Sequence, residues 1–237
     1  MFSLSHRSAT KQSGGREVHD AFSRTLVLAP HCDDETLGVG GLIYRLRAEG
    51  AAVRVVVMLN ASVQYISGLQ ASADRLRKEF EGACRVLGVE DRCVEEEGGV
   101  SDYELVGRID RHLLDYKPTA LLWSYPSHHQ HHQRLNDACR AALRLNEGTL
   151  RLRLAATYEY PHLFPNFPVS DHLFLVDISG APFRAKIDAL DAYEIQIGVR
   201  ESWSPLSKKS VEALARWRGS LAGIEHAEAL HLVKWVL

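Results

Sequence analysis

Long apolar runs, an excess of one charge and paired cysteines are all missing from this 237-residue chain. No stretch approaches the roughly 20 apolar residues that a membrane span needs, so no integral span is expected. Lys and Arg number 28 against 30 Asp and Glu, a net charge of -2, and so balanced a chain has no general attraction to nucleic acid or an anionic membrane. The opening residues, Met1 to Asp20, lack the apolar core of about 7–15 residues that marks a secretory signal. Residues 1–24 are therefore read as a polar lead-in and residues 25–237 as a single domain. The cysteines Cys32, Cys84, Cys93 and Cys139 show no Cys-x-x-Cys spacing. They fit reduced thiols in a cytoplasmic protein and not a disulfide framework. Disorder is excluded in turn, because 46% of the residues are hydrophobic, enough to build a core.

What is present is an alternation of two periods. Thr25–Ala29, Ala52–Leu59, Arg92–Val94 and Thr119–Trp123 are short apolar or β-branched runs, suited to strands buried on both faces. Between them lie amphipathic stretches: Thr36 to Glu49 stopped by Gly50, Asp74 to Leu87 stopped by Gly88, and Tyr103 to Tyr116 stopped by Pro118. A further helix runs to about Leu145. The pattern predicts an α/β fold, a Rossmann-like doubly wound, mostly parallel sheet with helices on both faces. Residues Asn60 to Gln70 show no period and read as a loop. In the last third, Leu152–Tyr158 and His172–Asp177 read as strands, and Pro182–Ile197 and Lys208–Leu221 as helices. Glu228–Val236 fits either.

In such sheets ligands bind beyond the carboxyl ends of the strands, where strand order reverses. Two polar clusters fall there. His31-Cys-Asp-Asp-Glu35 follows the first strand, and four of the 12 histidines, His128, His129, His131 and His132, follow the fourth. First and fourth strands are commonly neighbours at the switch point, so the two clusters are expected side by side. His31 and Asp34, three positions apart, can converge on one ion, and imidazole with carboxylate is a zinc donor set. A histidine from the second cluster would complete two imidazoles and one carboxylate, leaving positions for water. Asp33 then stands beside that water as a candidate general base. Alternatives remain open on the residues alone: Asp33-Asp34-Glu35 also suits a helix cap with Asp34 or Thr36 at the cap position. The pairs His128/His131 and His129/His132 share one spacing.

Ala29-Pro-His-Cys-Asp-Asp-Glu-Thr-Leu-Gly38 resembles the PHPDDE signature of the LmbE/PIG-L zinc-dependent N-deacetylases, and His129-Gln-His-His132 resembles their HPDH signature. Arg75 to Val89, with Glu79, Cys84 and Leu87-Gly-Val89, is similar to their second helix. Asp177-Ile-Ser179, with the following Lys186 and Gln196, is similar to their C-terminal part. The resemblance implies zinc-dependent removal of the N-acetyl group from an N-acetylglucosamine-containing small molecule or glycoconjugate. Carried over, His31, Asp34 and His132 bind one zinc or another divalent ion, Asp33 is the general base, and His129 stabilises the oxyanion or protonates the leaving amine. Asn136 and Asp137 in the helix after His132 support this register. Two positions depart from the family: Cys32 replaces a proline, and His131 replaces an aspartate expected to orient a neighbouring histidine. A homo-oligomer is left open.

Asp102, Tyr158, Glu159, Tyr160, His162, Arg200, Glu201 and Trp203 are candidate sugar contacts that serve equally well as caps or packing groups. Gly38-Val-Gly-Gly41 breaks the dinucleotide pattern Gly-x-Gly-x-x-Gly at Ile43, and its acidic turn would repel a pyrophosphate. A 2-His-1-carboxylate iron protein, or a metal-binding module without deacetylase activity, shares the ligand set. The extra carboxylate Asp33 favours hydrolysis.

Overall fold

The computed structural model describes residues 20–64, 68–145, 151–161 and 172–236. Its strands are β1 (Arg24–Ala29), β2 (Ala52–Asn60), β3 (Val63–Gln64), β4 (Gln70–Ala71), β5 (Asp91–Glu96), β6 (Ala120–Ser124), β7 (Leu154–Tyr158), β8 (Leu173–Asp177) and β9 (Ala227–Trp235). Its helices are α1 (Asp34–Ala48), α2 (Ala73–Val86), α3 (Asp102–Tyr116), α4 (Gln130–Leu145), α5 (Ala181–Ala189) and α6 (Lys208–Ala222). The 7-stranded sheet runs β5-β2-β1-β6-β7-β9-β8. β1 pairs in parallel with both β2 and β6, and β9 is antiparallel to both its neighbours. This is the expected mostly parallel, doubly wound sheet, with its switch point between β1 and β6.

Strand periodicity decides how the faces are shared. Val27 and Ala29 of β1 join one core cluster, and Leu26 and Leu28 join the other. The same alternation divides Val53, Val55 and Val57 from Val56 and Met58 on β2. Both faces of the sheet are thus apolar and need helical cover. α1 and α2 lie over the first cluster, and α3 and α4 over the second.

Several expectations shift. Residues 60–70 are not all loop, since Val63–Gln64 pairs antiparallel with Gln70–Ala71. The single helix expected over Pro182–Ile197 ends at Ala189. A 3-10 turn, Leu190–Ala192, and a π-helical turn, Glu194–Gly198, follow. The C-terminal segment is a strand. Ala21 and Phe22 are buried in the core, and Arg24 opens β1.

α1 is broken at Val39, whose φ of -130° and ψ of 23° are not helical. A buried ion pair heals the break. Glu228 on β9 accepts from the freed N–H groups of Gly41 (2.9 Å) and Leu42 (2.8 Å). Lys186 on α5 donates to Glu228 (2.7 Å) and to the Gly38 carbonyl (3.3 Å). The pair thereby caps the second half of the helix and the end of the first, groups that would otherwise be orphaned. The glycine run has a steric cause as well: a Cβ on Gly38 would sit 2.2 Å from Tyr158 Cδ2.

Candidate metal centre and active site

β1 ends at Ala29, and the chain turns through residues 30–33 before α1. β6 ends at Ser124, and α4 opens at Gln130. Because β1 and β6 are adjacent, the two loops meet at the carboxyl edge of the sheet. There Asp34 Oδ2 lies 3.1 Å from His31 Nδ1 and 3.4 Å from His132 Nε2. One donor atom from each of His31, Asp34 and His132 falls within 4.8 Å of the others. His128 is exposed and outside this group. The geometry therefore brings together the His129/His132 register.

The donor set fits a divalent cation. Burial pushes the His132 imidazole down to about 4, so at neutral pH it carries a lone pair and not a charge. Burial opposes ionisation of Asp34, but His132 and then His31, whose backbone N–H donates to Oδ2 at 3.1 Å, hold its carboxyl below the ordinary value. A neutral imidazole beside an ionised carboxylate is the state a metal needs.

Asp33 occupies the N-cap position of α1, with φ of 148° and no side-chain capping bond. A non-glycine residue with positive φ is held there by its surroundings. Its N–H donates to Glu35 Oε2 at 3.2 Å, and its carbonyl accepts from Leu37 N at 2.8 Å. Glu35 is itself anchored by Thr36 and Tyr193. The N-cap is thus Asp33, one residue ahead of Asp34 and not at Asp34 or Thr36, and it caps with no side-chain bond. Its carboxyl makes no hydrogen bond among the described residues and lines the cavity. Burial, then the Asp34 charge, raises it well above the ordinary carboxylate range, with Arg200 partly offsetting both.

The cavity has a volume of about 470 Å³, within the usual range for a small-molecule site. Its lining mixes apolar side chains, Leu37, Leu59, Leu76 and Leu206, with polar ones, Asn60, Gln64, Glu97 and Arg200. His129 is exposed at its rim, with its ring centroid 4.7 Å from that of His31. Tyr160 stacks on His132 at 4.8 Å. Cys32 is buried, with its Sγ 3.5 Å from Asn60 Oδ1. Burial raises its thiol far above the ordinary value, so it stays protonated, and it is not among the grouped donors although it lines the cavity.

Other candidates are placed elsewhere. Asp102 sits in the first turn of α3, paired with Arg134 at 2.9 Å, and does not line the cavity. Tyr158 is fully buried with its hydroxyl on Leu28 O, and Glu159 is buried against Arg218 and His231. Glu201 and Trp203 are exposed outside the cavity wall, while Arg200 is in it. His162 lies outside the described residues. Cys93, Glu95 and His112 also place donors within 4.8 Å of one another. That cluster is a poor cation site, because Arg108 stands 3.6 Å from Glu95 and burial keeps the Cys93 thiol protonated. Sequence reasoning missed Glu97, which lines the cavity just past β5. Applying the strand-end rule to the third strand, which closes on Glu95-Glu96-Glu97, would have found it.

A family model described as PIG-L, GlcNAc-PI de-N-acetylase, matches residues 26–143. The chain carries a PIG-L/LmbE family domain. No curated protein matches it in sequence. Among solved structures it is similar to the conserved protein TT1542 from Thermus thermophilus, at 25% identity and a TM-score of 0.73 over 90% of this chain and 96% of that one. It is also similar to N,N'-diacetylchitobiose deacetylase from Pyrococcus horikoshii, at 20% identity and a TM-score of 0.69 over 97% and 95% of the two chains. The fold recurs in GalB, a 4-carboxy-2-hydroxymuconate hydratase from Pseudomonas putida, at 19% identity and a TM-score of 0.70 over 90% and 98%. One PIG-L-type fold thus carries more than one chemistry, and the reaction has to be argued from the site residues. Among the described residues no helix is long and apolar enough to cross a membrane.

Proposed function

We propose that this protein is a metal-dependent N-deacetylase that removes acetyl from an N-acetylglucosamine-containing small molecule or glycoconjugate, cleaving a linear, non-peptide amide. The PIG-L family match and the deacetylase among the fold neighbours support this class. The observation that carries it is the meeting of His31, Asp34 and His132 with a fourth group, Asp33, unpartnered beside them in the cavity. An iron-binding or purely metal-holding role would not require that extra carboxyl and is not favoured. The family's PHPDDE-type motif, two imidazoles and one carboxylate make zinc the preferred ion, one per chain. Four free thiols fit a cytoplasmic location.

When bound, the cation polarises the acetyl carbonyl and eases ionisation of water. The chain's own residues do the rest. Asp33, held buried and free of other partners, accepts a proton from the attacking water as its oxygen bonds to the carbonyl carbon. A carboxyl raised by burial and by the Asp34 charge is, in its ionised form, a stronger base than an ordinary one. His129, whose ring centroid lies 4.7 Å from that of His31, is assigned to the developing oxyanion and to the leaving nitrogen. The C–N bond breaks as that nitrogen gains a proton from Asp33 or His129, giving acetate and a free sugar amine. The mix of leucines and polar groups in the lining suits an acetamido sugar, which is itself part apolar and part polar.

The test is acetate release from a panel of N-acetylglucosaminides with stoichiometric zinc. Release that needs both metal and Asp33 supports the proposal, and silence across the panel in a zinc-loaded chain overturns it.

A further inference from the structure

His31 uses both ring nitrogens. Nδ1 points at Asp34 Oδ2 (3.1 Å), and Nε2 lies 2.8 Å from Nδ1 of His131. The other nitrogen of His131, Nε2, lies 3.0 Å from Glu97 Oε1. Asp34, His31, His131 and Glu97 therefore form a continuous chain with three contacts. Two neutral imidazoles bring only two ring hydrogens to it. If His31 donates from Nδ1 to Asp34, then His131 must donate from Nδ1 to His31. Its Nε2 lone pair would then face the Glu97 carboxylate. If instead His31 donates from Nε2, His131 accepts at Nδ1 and donates from Nε2 to Glu97, and both of those contacts are satisfied. The contact left without a hydrogen is the one between His31 Nδ1 and Asp34 Oδ2. That is where a cation shared by the two is expected.

We propose that His131 and Glu97 are positioning residues that fix the tautomer and ring orientation of His31 and so set the affinity of the cation site. The inference rests on the reading of His31, Asp34 and His132 as ligands. It gives His131, which departs from the family's aspartate, a partner on a different strand end. Outer groups of this kind hold a metal-ligating imidazole in place. His132 contrasts with His31: its Nδ1 is buried with no partner among the described residues, and stacking on Tyr160 holds its ring instead. Glu97 is itself braced, since Arg134 on α4 lies 3.7 Å from it and also pairs with Asp102 on α3.

The experiment is competition for Zn²⁺ between a chromophoric chelator and the full-length chain, wild type and variants, with metal stoichiometry measured in parallel. Wild type should bind one ion. His131→Ala and Glu97→Ala should still bind one ion, about 10- to 100-fold more weakly. His131→Asn, which keeps an oxygen acceptor where Nδ1 stood, should recover part of the loss. Circular dichroism and melting of the metal-free variants should match wild type, because both side chains are partly exposed. Unchanged affinity in His131→Ala overturns the proposal. So does a wild-type stoichiometry of two that falls to one in His131→Ala, which would make His131 a ligand of a second ion with His31 and His129. A wild type that binds no zinc overturns the ligand reading itself, and the positioning role with it.

Discussion

Asp33 and Asp34 are adjacent carboxyls with opposite fates. Asp34 is flanked by His31 and His132 and stays ionised, while Asp33 is buried among acidic neighbours and is raised. Neighbouring titratable groups pushed apart in this way are suited to different roles, here the proposed ligand, Asp34, and the proposed base, Asp33. Asp33→Asn should therefore keep stoichiometric zinc yet lower kcat by about 10²- to 10⁴-fold, as followed by acetate release and metal analysis on the same sample. His132→Ala removes a donor and should give a chain that purifies without bound zinc. The two variants separate base from ligand: if Asp33→Asn also lost the metal, the division of roles would be wrong. At this scale the sequence was informative about which polar side chains the fold gathers, His31, Asp34 and His132 among them. It was not informative about Glu97 or about the partner of His131, since those depend on three strand ends meeting.

At the scale of the element, α1 is the part on which the site depends. Its first turn carries Asp33 and Asp34, and its break at Val39 lets that turn aim separately from the rest of the helix. Lys186 and Glu228 come from α5 and β9, and both are nearly inaccessible. Removing one partner of such a buried pair leaves the other uncompensated. Glu228→Ala should cost about 3–5 kcal/mol, read as a lowered denaturant midpoint. Ser101→Ala, which removes the capping box of α3, should cost about 1 kcal/mol and leave zinc affinity unchanged. Helix periodicity and stop signals placed most helices within a few residues. The break in α1 was hidden because Gly38-Val-Gly-Gly41 falls inside a stretch, Thr36 to Glu49, whose apolar spacing reads as one continuous helix. The approach of Tyr158 to Gly38 shows why a glycine stands there.

At the scale of the whole molecule, the site sits at one edge of a sheet whose two apolar faces are covered independently of it. The core clusters run through the strands and helices, and the candidate donors lie beyond the strand ends. Chelation of the metal should therefore abolish acetate release while the chain stays folded, checked by circular dichroism and by recovery on adding zinc back. Loss of the fold on chelation would instead mark a structural ion. A second buried network, Glu159 with Arg218 and His231, ties β7, α6 and β9 together away from the donors. It accounts for one of the residues weighed as sugar contacts, Glu159. Alternating strand and helix periods, the polar turns at two strand ends and the chemistry of the residues in them were determined by local sequence, because periodicity and donor type are properties of a short stretch of chain. The pairing of β1 with β6, the antiparallel return of β9, the partners of His131 and Lys186 and the raised carboxyl of Asp33 were decided only by tertiary structure. Each depends on burial and on distances between residues far apart in the chain.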